Sequence, residues 1–245
     1  MKKSGATVTR RTAIQGLYAI TPETGDKWDA ATLQAAVAAA LRGGAAVIQY
    51  RNKHSSAALK RKQAAALAAL CRRHGVPLIV NDDPVLAQDC GADGVHLGRD
   101  DPDIAAARRC LGPGALIGVS CYDDLERARR AEAAGADYVA FGRFFPSRSK
   151  PGASPAPPEI LQQARNTLKI PIVAIGGITP ENGADLLARG AAALAVIGGL
   201  FHADDIETAA RRYAALFHRP DPECGPECGP ECDLTHDLAG TAGGR

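Results

Sequence analysis

Eight short apolar runs alternate with amphipathic stretches along most of this chain. The runs are rich in Val and Ile, and most lack the polar alternation of a half-exposed strand, which is typical of strands buried on both faces. The predicted strands cover residues 17–20, 46–50, 78–80, 94–97, 116–119, 138–141, 172–175 and 193–197. Apolar residues at helical spacing predict helices over residues 28–42, 56–74, 103–111, 123–134, 158–168, 181–188 and 205–217.

This rhythm predicts an α/β fold, a (β/α)8 TIM barrel in which each strand is followed by a helix. The predicted barrel domain spans residues 13–218. An open, doubly wound sheet is the competing interpretation. The count of eight quasi-regular strands favours closure, and no Gly-x-Gly-x-x-Gly motif follows the first strand.

Residues 219–245 differ from the rest of the chain and predict a flexible, disordered C-terminal tail. Cys224, Cys228 and Cys232 recur in Pro-Glu-Cys units, and the prolines and glycines between them break any helix that would align them. A soft-metal site at these thiolates is the less favoured alternative. Four further cysteines lack ligand spacing and are predicted to be reduced packing residues: Cys71, Cys90, Cys110 and Cys121.

Composition and charge exclude several classes of protein. The hydrophobic fraction is 46% with only 4% aromatic residues, which predicts a core of Ala, Val, Ile and Leu. A net charge of +2 is too small to indicate a nucleic-acid groove, and no run approaches the roughly 18 apolar residues of a membrane span. Arg10-Arg11 imitates an export signal, but the apolar stretch ends at Ile20. We therefore expect a cytoplasmic protein without nucleic-acid or membrane partners.

Polar segments follow the predicted strands at the ends that a closed barrel brings to one rim. Gln49-Tyr50-Arg51-Asn52-Lys53 runs out of the second strand, and its alternate residues can point to a common side. An arginine fork beside a compact lysine charge suits a pyrophosphate. Ordinary surface ion pairing is the alternative for this segment taken alone.

Carboxylates follow the next two strands. Asn81 and Asp82 come directly after the third strand, and Asp101 follows the fourth. Oxygen ligands from adjacent loops can share a Mg²⁺ that also binds substrate phosphates. Helix capping is the alternative, and it is the favoured role for Asp83. His96 lies inside a strand, where a core or supporting histidine is favoured over a ligand.

Three later segments suit phosphate oxygens. Ser147-Arg148-Ser149-Lys150 combines hydroxyls with cationic side chains after the sixth strand. Gly176-Gly177 and Ile197-Gly198-Gly199 follow the seventh and eighth strands. Barrel enzymes frequently hold a phosphate on exposed backbone N–H groups at these two positions. Tight turns are the alternative for either glycine pair alone.

The ordered set of motifs, from residue 16 to about residue 217, resembles the thiamine-phosphate synthase family. The resemblance implies contacts to a pyrimidine diphosphate at Gln49, Tyr50, Arg51, Asn52, Lys53, Asn81, Ser120 and Lys150. It implies catalytic roles for Arg51, Lys53, Ser120 and Lys150, and Mg²⁺ ligands at Asp82 and Asp101. It assigns a thiazole phosphate to Ser147, Arg148, Ser149, Gly177, Ile197 and Gly198.

The implied reaction joins the two phosphorylated substrates into thiamine phosphate and releases pyrophosphate. Two departures from the family pattern concern the thiazole side: Ser147 and Ser149 stand where threonines are usual, and Gly198 stands where a serine is usual. A thiazole tautomerase is the nearest alternative, but it should carry a histidine after the fifth strand, where this chain has Ser120-Cys121-Tyr122. A non-catalytic phosphate-ligand binding protein is the alternative from another class.

Overall fold

The computed structural model describes residues 14–23, 28–99, 103–146 and 155–218, and these form a closed barrel of eight parallel strands. The strands are β1 (Gly16–Ile20), β2 (Ala45–Tyr50), β3 (Leu78–Asn81), β4 (Gly94–Leu97), β5 (Leu116–Tyr122), β6 (Tyr138–Phe141), β7 (Ile172–Ile175) and β8 (Ala193–Val196). Strands adjacent in sequence pair with each other, and β1 pairs with β8 to close the barrel. The TIM-barrel prediction is confirmed, and the open-sheet alternative is wrong.

Helices follow the strands and surround the barrel. They are α1 (Ala30–Arg42), α2 (Ala57–His74), α3 (Pro84–Cys90), α4 (Ile104–Leu111), α5 (Leu125–Ala133), α6 (Glu159–Thr167), α7 (Gly183–Ala188), α8 (Gly198–Phe201) and α9 (Ile206–Ala214), with a 3-10 turn at Ala215–Phe217. Six N-cap side chains each accept a hydrogen bond from a backbone N–H three residues later: Asp29, Ser56, Asp83, Asp103, Asp124 and Asp205. Such caps satisfy N–H groups that the first helical turn leaves unpaired.

Two local differences from the predicted elements affect the rim. β5 continues to Tyr122, so Ser120 lies within a strand rather than after it, and the pairing with β6 shifts between Ser120 and Tyr122. After β8, Gly198 and Gly199 begin the one-turn helix α8 rather than a loop. The sequence pattern missed this helix because two glycines are unfavourable in helices.

The core has two layers, which follow from the alternation of side chains along each strand. One layer packs between the strands and the surrounding helices. The other fills the barrel and includes Tyr18, Val47, Ile79, Leu116, Tyr138, Val173 and Ala195. The residues at the upper end of this inner layer are the ones that reach the rim.

The cysteines in the described part of the chain carry free thiols. Burial raises the pKa of Cys71 and of Cys121 to about 12, so both thiols stay protonated and serve as packing residues, as predicted. The tail with Cys224, Cys228 and Cys232 lies outside the described residues, and its flexibility stays a prediction. Among the helices that the structure describes, none has the length and apolar character needed to cross a membrane.

Candidate active site

Gln49 points into the barrel at the upper end of β2. Val47, two residues earlier, belongs to the inner layer of the core, and side chains two apart on a strand share a face. The Gln49 side chain is only 3% exposed, and its Nε2 donates to the Tyr18 hydroxyl at 2.9 Å. The Gln49 side chain therefore lies inside the upper end of the barrel, and its contact with a substrate stays a prediction.

Tyr50 and Asn52 are bound on the opposite, helix-facing side of the same segment. The Tyr50 hydroxyl donates to Gln63 Oε1 at 2.7 Å, and Asn52 Nδ2 donates to the same oxygen at 2.9 Å. Gln63 lies on α2, is almost fully buried, and donates in turn to the Trp28 carbonyl at 3.0 Å. These bonds fix the course of the loop after β2, whereas substrate contact by Tyr50 and Asn52 stays a prediction.

The two cations of this segment reach the rim, where each has an acidic partner. Arg51 forms an ion pair with Glu23 of the loop after β1, and its backbone N–H donates to Thr21 Oγ1 at 2.8 Å. Lys53 Nζ lies 3.0 Å from Asp82 Oδ2. Because the Lys53 side chain is 47% exposed, a polyanion can reach it from solvent.

Asp82 directly follows β3 and takes a backbone conformation that few non-glycine residues adopt, with φ at 66°. Its backbone N–H donates to the His96 carbonyl at 2.8 Å, which ties the ends of β3 and β4 together. Capping of α3 is carried out by Asp83, whose Oδ1 accepts from Leu86 N at 2.9 Å. Asp83 therefore has the predicted capping role, and the Asp82 carboxylate lies at the rim in its ion pair with Lys53.

This arrangement fits a magnesium ion chemically, because a rim carboxylate is the hard oxygen ligand that Mg²⁺ prefers. Within the described ranges, no group of three or more His, Cys, Asp or Glu side chains could hold a metal. Mg²⁺ needs few protein ligands, since it usually keeps waters and binds substrate phosphates. The second predicted ligand, Asp101, lies outside the described residues, and α4 is capped by Asp103.

Ser120 faces His96 across the upper end of the barrel. The Ser120 Oγ atom lies 2.9 Å from His96 Nε2, and both residues are on inner faces of adjacent strands. Burial lowers the pKa of His96 to about 4, so the imidazole is neutral near pH 7. Both ring nitrogens of His96 have hydrogen-bond partners, Tyr138 and Ser120, as expected of a supporting residue. Asn81 ends β3 two residues after the inward-facing Ile79.

The glycine pair after β7 allows close contact with the loop after β6. Gly177 has a φ of 66°, and a Cβ atom there would lie 2.5 Å from the Pro146 carbonyl oxygen. The Phe145 N–H donates to the Gly176 carbonyl at 3.0 Å, and Asn182 Nδ2 donates to the Gly177 carbonyl at 3.1 Å. Phe145 and Pro146, which directly precede Ser147, therefore lie beside Gly177.

The phosphate-binding predictions have different outcomes along the chain. Ser147, Arg148, Ser149 and Lys150 lie outside the described residues, so their roles stay predictions. Ile197 and Gly198 follow β8, where Gly198 begins α8. A Cβ atom at Gly198 would meet His202 Nδ1 at 3.3 Å, so a slightly larger residue needs only a side-chain adjustment there.

Several residues that support the site were not among the sequence candidates. Arg127 on α5 donates from Nε to the Ser120 carbonyl at 2.8 Å and from a terminal nitrogen to the Gly98 carbonyl at 2.9 Å. It thereby joins the ends of β4 and β5. Tyr18 and Tyr138 bond to each other inside the barrel at 2.8 Å. One available signal was Gly118, because glycine inside a strand often marks a close approach.

Comparison with known proteins places this geometry in a family. Residues 17–200 match the family model described as thiamine monophosphate synthase. The thiamine-phosphate synthase of Chromobacterium violaceum is 56% identical, covering 83% of this chain and 97% of that protein. The thiamine-phosphate synthase of Thiobacillus denitrificans is 53% identical, covering 84% of this chain and 97% of that protein.

A solved structure agrees with these relatives. Thiamine phosphate pyrophosphorylase from Pyrococcus furiosus superimposes with a TM-score of 0.72 at 32% identity, covering 84% of this chain and 96% of that one. The corresponding protein of Bacteroides thetaiotaomicron, at 16% identity and a TM-score of 0.62, supports the fold alone. The chain therefore belongs to the thiamine-phosphate synthase family and is an enzyme of the transferase class.

Proposed function

We propose that the enzyme couples 4-amino-2-methyl-5-(diphosphooxymethyl)pyrimidine with 4-methyl-5-(2-phosphooxyethyl)thiazole or its carboxylated form. The products are thiamine phosphate and pyrophosphate, and the carboxylated substrate also releases CO₂. The observation that best supports this reaction is the placement of Arg51, Lys53 and Asp82 at neighbouring strand ends. Cationic donors beside a carboxylate suit a magnesium-bound diphosphate.

Asp82 and Asp101 are the residues that would hold the magnesium ion. When bound, Mg²⁺ neutralises charge on the diphosphate and makes it a better leaving group. The free enzyme pairs Asp82 with Lys53 at 3.0 Å. Before substrate binds, this ion pair keeps both side chains at the rim. We infer that Lys53 turns toward the diphosphate once Asp82 binds the metal.

Arg51, Lys53 and Lys150 bind the diphosphate and stabilise the negative charge that grows as its C–O bond breaks. The electron pair of that bond leaves with pyrophosphate, and the electron-rich aminopyrimidine bears the resulting methylene cation. The thiazole nitrogen then forms the new C–N bond with its own lone pair. This sequence requires no nucleophile from the protein.

The thiazole phosphate belongs on the opposite part of the rim, after β6, β7 and β8. Backbone N–H groups at Gly177 and Gly198 and the hydroxyls of Ser147 and Ser149 are its proposed donors. Support comes from Pro146, which directly precedes Ser147 and packs closely against Gly177. Ile197 and Arg148 complete the proposed contacts.

Product analysis separates this function from its alternatives. With both substrates and magnesium, the enzyme should form thiamine phosphate, identified by its mass, and an equal amount of pyrophosphate. With the carboxylated thiazole alone, we expect no isomerisation, which a tautomerase would carry out. Isomerisation without coupling, or binding of either substrate without turnover, would contradict the proposal.

Removal of residues 219–245 should leave turnover and the melting temperature unchanged. The family match ends at residue 200, and α9, the last α-helix within the described residues, ends at Ala214. A chain ending at Asp204 is the matched control, and it should fail to fold because it loses the buried residues Ala210 and Tyr213. Loss of activity in the chain that ends at His218 would assign the tail a role in the site.

A cytoplasmic location also stays a prediction.

A further inference from the structure

A chain of four hydrogen bonds crosses the interior of the barrel between two predicted substrate contacts. Gln49 Nε2 lies 2.9 Å from the Tyr18 hydroxyl, which lies 2.8 Å from the Tyr138 hydroxyl. The Tyr138 hydroxyl lies 3.1 Å from His96 Nδ1, and His96 Nε2 lies 2.9 Å from Ser120 Oγ. The chain thus links β2 to β5 through β1, β6 and β4.

Among the described residues, the side chains that fill the barrel around this chain of bonds form an apolar cluster, so the polar groups stand out there. Tyr18 and Tyr138 are at most 1% exposed and His96 is 8% exposed. Gly118 makes room for one of the phenol rings, because a Cβ atom there would lie 2.0 Å from the Tyr138 ring. A buried polar group costs free energy unless it is hydrogen-bonded, and a leucine or phenylalanine would avoid that cost. The arrangement therefore favours a functional reason for the polar chain.

The number of protons on each group fixes the direction of the bonds. Burial raises the pKa of Tyr18 and of Tyr138 above the usual range, so both hydroxyls keep their protons and each must donate to a neighbour. The Tyr18 oxygen accepts from Gln49, and its own proton is satisfied by donation to the Tyr138 oxygen. Tyr138 then donates to His96 Nδ1.

A neutral imidazole that accepts at Nδ1 carries its one proton at Nε2. His96 Nε2 therefore donates to Ser120 Oγ, and the Ser120 oxygen accepts this bond. The remaining O–H of Ser120 is left to donate away from His96, toward the rim. A serine without this partner could rotate its hydroxyl and act equally well as an acceptor.

We propose that His96 and Tyr138 are positioning residues that hold the Ser120 hydroxyl as a hydrogen-bond donor to the pyrimidine diphosphate substrate. This inference rests on the proposed function, since it takes Ser120 as a contact of that substrate. The chemistry favours a substrate acceptor at this point, either a ring nitrogen or a diphosphate oxygen. An analogue with a donor at that position is disfavoured.

Tyr138→Phe tests the proposal because it removes one hydroxyl and keeps both His96 and Ser120. Without the Tyr138 donor, either imidazole tautomer is open, and Ser120 loses its fixed orientation. We expect kcat/KM for the pyrimidine diphosphate to fall about tenfold, the size of one oriented hydrogen bond. The KM for the thiazole phosphate should stay within about twofold.

Tyr213→Phe is a matched control, because Tyr213 is also buried and its hydroxyl donates to the Ile178 carbonyl at 3.0 Å outside this chain of bonds. It should lower the melting temperature by a similar amount and leave kcat/KM for the pyrimidine diphosphate unchanged. An equal loss in both variants would overturn the proposal, because it would indicate a general effect of packing.

A second pair of variants changes His96 itself. His96→Gln offers an acceptor and a donor in the same order, whereas His96→Leu offers neither. We expect the glutamine variant to retain several times more kcat/KM for the pyrimidine diphosphate than the leucine variant. Equal activity in two folded variants would overturn the proposal.

A double-mutant cycle separates this inference from the site assignment on which it rests. If Tyr138 and His96 act through Ser120, Tyr138→Phe should have no further effect on kcat/KM in a Ser120→Ala background. Additive losses would overturn the positioning role of Tyr138 and His96 and leave Ser120 as a substrate contact. Unchanged kinetics in Ser120→Ala alone would instead overturn the assignment of Ser120.

Discussion

Asp82→Asn should lower kcat by about a hundredfold or more, because it removes charge from the proposed magnesium ligand. Asparagine is the sharper substitution here, since Asp82 has a φ of 66° and asparagine tolerates this conformation better than alanine. The melting temperature should therefore change little. Steady-state turnover over a range of magnesium concentrations measures the effect, and excess magnesium should restore part of the lost rate.

Asp83→Asn is the control for this experiment. This substitution removes the same charge one residue away. Asp83 caps α3, where its Oδ1 accepts a hydrogen bond from Leu86 N. Asparagine caps helices as well as aspartate does, so activity and stability should both be retained. Near-normal turnover of Asp82→Asn at limiting magnesium would show that this carboxylate does not bind the metal.

Arg51→Ala should raise the KM for the pyrimidine diphosphate by about ten- to hundredfold, the range expected for a lost charge-assisted hydrogen bond. A further decrease in kcat should follow, because the guanidinium also stabilises charge on the departing pyrophosphate. Arg51→Lys should recover only part of the loss, since lysine lacks the planar fork. Initial rates at saturating thiazole phosphate measure both constants.

Arg61→Ala is the matched control, because Arg61 is 66% exposed on α2 and lies 3.8 Å from Asp89 in a weak surface pair. Its removal should leave both constants unchanged. An Arg51→Ala variant in which only the KM for the thiazole phosphate rises would place the diphosphate elsewhere on the rim.

Much of the site follows from the alternation of residues and from the ends of the strands. Gln49 lies on β2, Arg51 follows just past its end, and Asp82 follows the next strand, so their meeting at one rim could be predicted from a barrel alone. The same alternation turns Tyr50 and Asn52 toward α2, where Gln63 binds them. A contiguous motif thus combines residues that face opposite sides of the sheet.

The chain of hydrogen bonds from Gln49 to Ser120 inside the barrel could not be predicted from the sequence. Tyr18 and Tyr138 are 120 residues apart, and their contact depends on the register of strands on opposite parts of the barrel. Each tyrosine also fits an ordinary apolar strand, because a phenol ring packs as well as other large side chains. Gly118 was the local signal, but its meaning depends on the ring that crosses it.

The length of β5 was another feature that local pattern did not reveal. Ser120 was expected beyond the strand because it is polar, yet it continues the inner face two residues after Gly118. Its polarity is satisfied by His96 inside the barrel. A polar residue can continue a strand into the barrel when the tertiary structure supplies a hydrogen-bond partner, and the local sequence does not show that partner.

The coupled release of two products under control of magnesium is the most direct test of the proposed chemistry. The purified full chain is incubated with both phosphorylated substrates while free magnesium is varied with a chelator, and thiamine phosphate and pyrophosphate are quantified together. We predict equal yields of the two products, rising with magnesium and falling to background when the metal is removed. Undiminished coupling without magnesium, or no coupling at any magnesium concentration, would contradict the account.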